Sequence, residues 1–402
     1  MRILCVWGRH NYGDATRGES YEYANFLPAL EALGHSVSLF DSWDRSRYAS
    51  FAELNRALVQ SAREARPELI LTVLLGYEIW LETLDYLRGS LGVPVLNWGT
   101  DDSWKYTQFS RYVAGHVDCY ATTSSQALEH AARDGFKNWL LTQWAASDTR
   151  LAQPLPAAQC RYAVSFVGSA YGNRMRWIEM LRGNGIGVEC FGHGWPNGAV
   201  SAEQVGAIVR ESKISLNFGD SGLQFRGVVP YRSRQIKARV FEVPGAGGFL
   251  LTQPADGLER CYRDREEIAV FDSDAELLSR IRYYLEHPDE RDRVALAGHE
   301  RTRREHTYSR RFVDLIRHAT DPSIRAQPVA AVSLDAAIAR HKVGPGLLTL
   351  RALLSWPAIV LFGKRRGLRA ARRLLFELSW RVCRARTYSS KGLPGRLFYR
   401  ES

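Results

Sequence analysis

None of the six cysteines, Cys5, Cys119, Cys160, Cys190, Cys261 and Cys383, is spaced to form a Cys-x-x-Cys pair. That leaves no zinc ribbon and no dithiol redox motif. Several sit in apolar, strand-like runs, where cysteine behaves as a small buried hydrophobe, so the expectation is a reducing, cytoplasmic compartment without disulfides. Internal repeats and low-complexity tracts are also missing, which excludes solenoid and disordered classes. The run Met1-Arg-Ile-Leu-Cys-Val-Trp-Gly8 is too short for a signal peptide and ends in a turn, so it reads as a first strand. Acidic residues are scarce in one place only. From Val332 to the end there are 15 Lys and Arg against 3 Asp and Glu, while the remainder carries 39 against 40. The formal charge of +11 is therefore a basic tail on a near-neutral body, which suits an anionic membrane or a polyanion. No motif with base-reading residues is visible, so no nucleic acid is expected.

With 402 residues, 45% hydrophobic and 24% charged, the chain can hold two ordinary α/β domains, each with its own core. Strands are expected at Ile3 to Trp7, Val37 to Phe40, Leu69 to Leu74, Val93 to Trp98, Val117 to Thr122 and Trp139 to Gln143. Helices between them are expected at Glu19 to Leu33, Phe51 to Ala65, 79 to 90 and Gln126 to Ala132. Strands separated by helices of this length predict a parallel sheet wound on both faces, with its site at the carboxyl ends. Pro154 and Pro156 mark Leu151 to Gln159 as a linker. The alternation then restarts, with strands at Ala163 to Gly168, Val188 to Gly192, Ile214 to Phe218 and Phe249 to Leu251, and three closing helices from Asp274 to Ala319. The expected division is 1–150, 160–320 and a tail, 332–402.

One stretch stands out chemically: Lys237-Ala-Arg-Val-Phe-Glu-Val-Pro-Gly-Ala-Gly-Gly-Phe-Leu-Leu-Thr252. It reads as a basic approach to a helix carrying Glu242, a break at Gly245, Gly247 and Gly248, and a buried strand. A carboxylate can take both hydroxyls of a ribose, while Lys237, Arg239 and backbone N–H groups can hold a diphosphate. The plainer alternative is a solvated glutamate beside a tight turn.

Downstream come Gly257-Leu258, Asp274-Ala-Glu-Leu-Leu278, Tyr283-Tyr-Leu-Glu-His-Pro-Asp-Glu-Arg291, Gly298 and His306-Thr-Tyr-Ser-Arg-Arg311. In this order they resemble the C-terminal half of the CgeB/spore-maturation-type glycosyltransferases, relatives of the retaining family 4 group. The resemblance extends upstream through Phe166-Val-Gly-Ser169 and Phe191-Gly-His-Gly-Trp195 to Trp98-Gly-Thr-Asp-Asp102, covering roughly residues 1 to 318. It implies a GT-B fold, two Rossmann-like domains facing a cleft, and transfer of a sugar from a nucleotide donor. The family 4 signature has two glutamates eight positions apart. Glu242 matches the second, but Arg234 stands at the place of the first, and Asp220 is the candidate replacement.

The remaining candidates sit at strand ends. Gly168-Ser-Ala-Tyr-Gly-Asn-Arg-Met-Arg176 combines a close backbone approach with Arg174 or Arg176 for phosphate. Arg232 and Arg234 are alternative cations. His193 can touch the donor base or phosphate, whereas Trp195 can stack on a base or simply be packed. On the acceptor side, His10 can act as a base, and Asp101 and Asp102 are expected to divide two jobs, orienting the acceptor hydroxyl and capping the following helix. No essential metal is expected, because cationic side chains and helix dipoles generally neutralise the diphosphate in GT-B enzymes.

In the tail, Leu347 to Phe362 is apolar but carries Arg351 and Pro357, and reads as short of a spanning helix. Leu368, Ala371, Leu375, Leu378 and Val382 then recur at helical spacing among Arg366, Arg369, Arg372, Arg373, Arg381 and Arg384, an interfacial pattern. Packing on the body is the alternative. The resulting expectation is a peripheral enzyme on the inner membrane face, using 345–402 as its anionic-surface anchor. It would move a hexosyl or pentosyl group from a nucleotide sugar to a cell-surface glycan or lipid-linked precursor. A phosphorylase or epimerase on the same scaffold, or an inactive tail-anchored scaffold, are the competing readings.

Overall fold

The structure is a computed structural model that describes residues 1–220, 224–226, 229–231, 234–321, 323, 332–342, 344–383 and 397. Arg232 and Arg384, named above, lie outside the described residues. The chain divides into two compact units, Met1–Thr142 with Val313–Ser402, and Gln143–Phe312.

In the first unit, strands β1 (Arg2–Trp7), β2 (Ser36–Asp41), β3 (Leu69–Thr72), β4 (Val95–Trp98), β5 (Cys119–Thr122) and β6 (Trp139–Leu141) form a parallel sheet ordered β2-β1-β3-β4-β5-β6. Helices α1 (Tyr21–Ala32), α2 (Phe51–Ala65), α3 (Leu81–Asp85), α4 (Asp102–Lys105), α5 (Arg111–Ala114) and α6 (Ser125–Arg133) connect them. Fully apolar strands need cover on both faces, which is why β1 and β3 are buried along nearly their whole length. Helix α2 shows how the local sequence sets an element. Ser50 accepts the Glu53 N–H at its start, and Phe51, Leu54, Leu58, Val59 and Ala62 face the core. Residues 79–90, expected as one helix, form α3 and then a wider π-helical turn, Tyr86–Ser90.

The second unit contains β7 (Tyr162–Val167), α7 (Arg174–Gly183), β8 (Glu189–Phe191), α8 (Ala202–Arg210), β9 (Ser212–Asn217) and an antiparallel pair, β10 (Gln224–Arg226) with β11 (Val229–Tyr231). It continues with α9 (Arg239–Gly245), β12 (Leu250–Thr252), α10 (Leu258–Cys261), β13 (Ala269–Val270), α11 (Asp274–Glu286) and α12 (Pro288–Glu305). Its sheet is parallel and ordered β13-β12-β9-β7-β8. Helix α13 (Tyr308–Thr320) begins in this unit, and from Val313 the chain belongs to the first. Helices α14 (Leu334–His341) and α15 (Pro345–Cys383) follow, the latter broken at Gly363.

The Pro-marked stretch Leu151 to Gln159 lies inside the second unit. The Arg291 guanidinium, fully buried, donates to the carbonyls of Leu155 at 2.9 Å, Ser212 at 2.8 Å and Lys213 at 2.7 Å. Asp292 accepts the Ala157 N–H at 3.0 Å. A buried guanidinium must have its donors satisfied, so this stretch is held rather than free. Other motif residues are structural in the same way. Gly298 admits the Glu267 carbonyl where a side chain would stand, His306 Nε2 lies 2.9 Å from the Cys261 carbonyl, and Arg311 donates to the Gln143 carbonyl at 3.2 Å.

Candidate functional site

In a doubly wound sheet the binding crevice opens at the carboxyl ends of the strands where the order reverses. In the second unit that point falls between β7 and β9. The loop after β7 starts at Gly168, whose N–H donates to Phe191 at 2.8 Å and whose carbonyl accepts the Trp195 indole N–H at 2.7 Å. A side chain at 168 would press on Phe166 at 3.0 Å and the Arg174 guanidinium at 3.3 Å, so glycine keeps the turn tight against that cation. Trp195 is therefore buried with its indole N–H committed, a packed residue rather than a base platform. His193 is exposed on the neighbouring loop, its carbonyl accepting the Ala170 N–H at 2.8 Å.

Arg174 opens α7 and lies 4.1 Å from the Tyr171 ring centroid, donating to Ser169 at 2.9 Å and to the Tyr171 hydroxyl at 3.2 Å. Burial lowers its pKa from the ordinary arginine value; Tyr171 and Asp220 oppose the shift and Arg239 adds to it. The same loop reaches the segment that follows β9, since Asn173 donates to Asp220 at 3.4 Å. Arg174, Arg239 and Asp220 are thus electrostatic neighbours drawn from three connections. By contrast, Arg176 turns to Asp274 at 2.7 Å, and Arg234 pairs with Asp272.

Arg239 and Glu242 occupy successive turns of α9 and form an ion pair at 2.9 Å, both about one-fifth exposed. Lys237, half-buried, precedes the helix, and its carbonyl accepts the Val240 N–H at 3.0 Å. The site therefore holds its ribose candidate and one of its phosphate candidates in mutual contact. A diphosphate competing for Arg239 would leave the Glu242 carboxylate available to hydroxyls.

The three glycines require a correction. Gly245 closes α9 and Gly247 and Gly248 lead into β12, at the amino edge of the sheet, away from the strand ends. All three are buried, and a side chain would collide with Ala146 at 2.5 Å from Gly245, with the Ala152 carbonyl at 2.6 Å from Gly247, and with the Val209 carbonyl at 2.8 Å from Gly248. Gly247 has φ +81, which favours glycine. Their role is close packing, of residues 146–153 against Gly245 and Gly247 and of Val209 against Gly248, not a phosphate cradle.

In the first unit the order reverses between β1 and β3. His10, half-buried, forms a backbone β-bridge with Glu19 across the loop after β1. After β4, Asp101 and Asp102 part company. Asp101 is exposed, adopts φ +61 and makes no side-chain cap, so the expected capping bond is not formed by it. Asp102 is 2% exposed and accepts from Ser110 at 2.5 Å, Thr122 at 2.7 Å and Tyr120 at 3.0 Å. Burial raises its pKa, and those three donors and Lys105 restrain the rise. A carboxylate with this many internal donors positions backbone rather than substrate, and Gly99 is needed because Asp102 and Tyr120 fill the space a side chain would take.

Sequence reasoning passed over two residues. Tyr171 supports Arg174, a signal readable in its spacing from Arg174 within one loop. Glu22, in the first turn of α1 behind Ser20, is 7% exposed, and burial pushes its carboxyl up to about 7. Its polarity at a helix start looked ordinary, and only the fold covers it. Among the described residues no group of three His, Cys, Asp or Glu side chains could hold a metal ion.

Residues 174–317 match the family model described as glycosyl transferase-like. No curated protein matches the chain. Solved structures do. Sucrose-phosphate synthase from Thermosynechococcus elongatus has a TM-score of 0.52 at 13% identity, over 79% of this chain and 98% of that one. The Anabaena protein HepE in complex with UDP and glucose gives 0.52 at 12%, over 78% and 98%. A glycosyltransferase from Rickettsia africae gives 0.53 at 10%, over 80% and 99%. With two parallel sheets matching these structures and a helical C-terminal tail, the chain has the GT-B fold.

Proposed function

We propose that the chain is a glycosyltransferase of the CgeB-like type. It would move a hexosyl or pentosyl group from a nucleotide sugar to a cell-surface glycan or lipid-linked precursor on the cytoplasmic face of a membrane. The observation that carries this reading is the meeting of Arg174, Arg239, Asp220 and Glu242 around the switch point of the second sheet, in and beside the segment that resembles glycosyl transferases. Fold neighbours support the donor class, since HepE was solved with UDP and glucose and a DNA-modifying β-glucosyltransferase with uridine diphosphoglucose.

In this reading the Glu242 carboxylate takes the ribose hydroxyls, and Arg174, Arg239 and Lys237 neutralise the diphosphate. Their charge stabilises the leaving group as the glycosidic bond to phosphate breaks. Asp220 faces the donor sugar, and His193 lies near the base or phosphate. On the acceptor side His10 and the exposed Asp101 handle the hydroxyl, while Asp102 holds the loop that presents Asp101. No resident metal is required by this chemistry, and turnover is expected to survive EDTA.

A panel of nucleoside diphosphates and nucleotide sugars tests the reading by thermal shift. A ligand at 100 times its Kd adds about 2.7 kcal/mol of stability, easily resolved as a Tm increase. The expected outcome is that one nucleotide class stabilises the wild type and does so less in Arg174→Ala. A flat response to every nucleotide overturns the reading.

A further inference from the structure

The tail contains a feature that donor chemistry does not use. Pro345–Lys364 is a 20-residue segment of mean hydropathy 1.6, long and apolar enough to cross a membrane, yet only 6% of it is buried. The expectation that it falls short of a spanning helix is thereby corrected on length. Its exposure separates it from a core helix. Leu353, Trp356, Val360, Leu361 and Phe362 are 67, 66, 63, 74 and 56% exposed. No other stretch of the described chain shows so many large apolar side chains to solvent, and a monomer in water would not leave them bare.

The helix does not continue straight. Gly363 adopts φ +75 and breaks it. Four residues on, Gly367 is buried so closely against Ala358 and Ile359 that a side chain there would stand 2.6 Å from the Ala358 carbonyl. The chain has reversed, and two arms meet backbone to backbone along small residues, with Ser355 and Ala371 also buried. The returning arm shows Leu374 and Leu378 at 60 and 50% exposure. Its sequence also carries Arg369, Arg372, Arg373 and Arg381, and the reversal itself carries Lys364, Arg365 and Arg366. The base of this hairpin is anchored: His341 of α14 stacks on Trp80 at 4.1 Å and lies 3.1 Å from Glu82.

We infer that α15 is a helical hairpin that lies in the interface of one leaflet of an anionic bilayer, without crossing it, and so docks the first unit on the membrane surface. This rests on the membrane placement in the proposed function and specifies its mode. Crossing by the first arm would drag the arginine-bearing second arm, joined to it at Gly367, through hydrocarbon at high cost. Lying in the interface instead buries the apolar side chains and leaves the cations among anionic headgroups. The 15 basic against 3 acidic residues beyond 332 match that partner in charge.

Full-length protein is added to vesicles of phosphatidylcholine with and without phosphatidylglycerol, and flotation is measured. A Lys364→Cys variant, compared with wild type as background, reports the position of the reversal to a membrane-impermeant maleimide. The expected result is flotation with anionic vesicles and labelling at 364 from the side of addition without detergent. The double variant Leu353→Glu with Leu361→Glu should partition roughly tenfold more weakly, and neutral vesicles should capture less than anionic ones. Protection at 364 until detergent is added overturns the one-leaflet hairpin while leaving membrane attachment standing. Equal capture by neutral vesicles, or unchanged partition of the double variant, overturns the surface assigned here. Failure to float, with or without a stable dimer in solution, overturns both the hairpin and the membrane placement, and leaves nucleotide binding to be judged by its own thermal shift.

Discussion

The two units carry the same architecture and treat the polar groups at their strand ends in opposite ways. In the second unit Arg174, Arg239 and Glu242 remain partly accessible, and their mutual contacts are ones a ligand can exchange. In the first unit Asp102 stands at an equivalent strand end but is buried under three hydroxyl donors, while Asp101 beside it faces solvent. A charged residue after a parallel strand is thus not a site by position alone. What decides is whether its hydrogen-bonding capacity has been consumed inside the fold.

That contrast breaks first at Asp102. Asp102→Ala would strand the hydroxyls of Ser110, Tyr120 and Thr122 in the interior, and the expected loss is about 3 kcal/mol or more in chemical denaturation. Asp101→Ala should stay within about 0.5 kcal/mol of wild type. Equal effects from the two would erase the distinction. Next in size is Glu22, also in the first unit. Its folded pKa of about 7 exceeds the ordinary value of 4.5, so between these pH values the folded state binds more protons than the unfolded. Stability therefore falls as pH rises through that window, by up to about 3 kcal/mol at 1.36 kcal/mol per unit. Glu22→Gln should abolish this loss and be more stable than wild type at pH 8 but not at pH 4, read from denaturation midpoints across that range.

The second unit is tested through binding. Glu242→Ala removes charge-assisted bonds of roughly 1.5–3 kcal/mol, so nucleoside diphosphate affinity should drop about tenfold or more by calorimetry. Pyrophosphate affinity should hold or rise, because Arg239 loses its partner. A parallel drop for pyrophosphate would mean that Glu242 acts on the phosphates' surroundings and not on the ribose. The smallest effect belongs to Tyr171→Leu, which removes the ring under Arg174. At about 0.5–1 kcal/mol for such a contact, affinity should weaken a few-fold with the melting temperature nearly unchanged.

Much of the fold was legible because parallel sheets write themselves plainly. Buried strands such as Ile3 to Trp7 and Leu69 to Leu71 are continuous apolar runs, and α2 begins and ends where its Ser50 cap and periodicity say it should. The site was legible only in part. Arg174 and Glu242 are candidates from their positions after a strand and before glycine, but the i, i+3 spacing of Arg239 and Glu242 does not by itself announce the ion pair that the fold forms. Gly245, Gly247 and Gly248 were misread because a glycine needed for close protein packing and one needed for a phosphate look alike in sequence. The stretch 151–159 was misread because two prolines mark a turn-rich segment whether or not a buried arginine holds it.

The sequence by itself determined the alternation of strands and helices, the concentration of positive charge beyond Val332, and the apolar periodicity of α2 and α15 alike. Local periodicity depends on backbone geometry, which neighbouring residues set. Only the tertiary structure decided which carboxylate is buried, which glycines are covered, and that the apolar face of α2 turns inward while much of that of α15 is left bare. Those outcomes depend on contacts between residues far apart in the chain, such as Gly99 making room for Asp102 and Tyr120, or Gly367 closing on Ala358. Burial is a property of the assembled surface, and a residue's own sequence neighbourhood does not contain it.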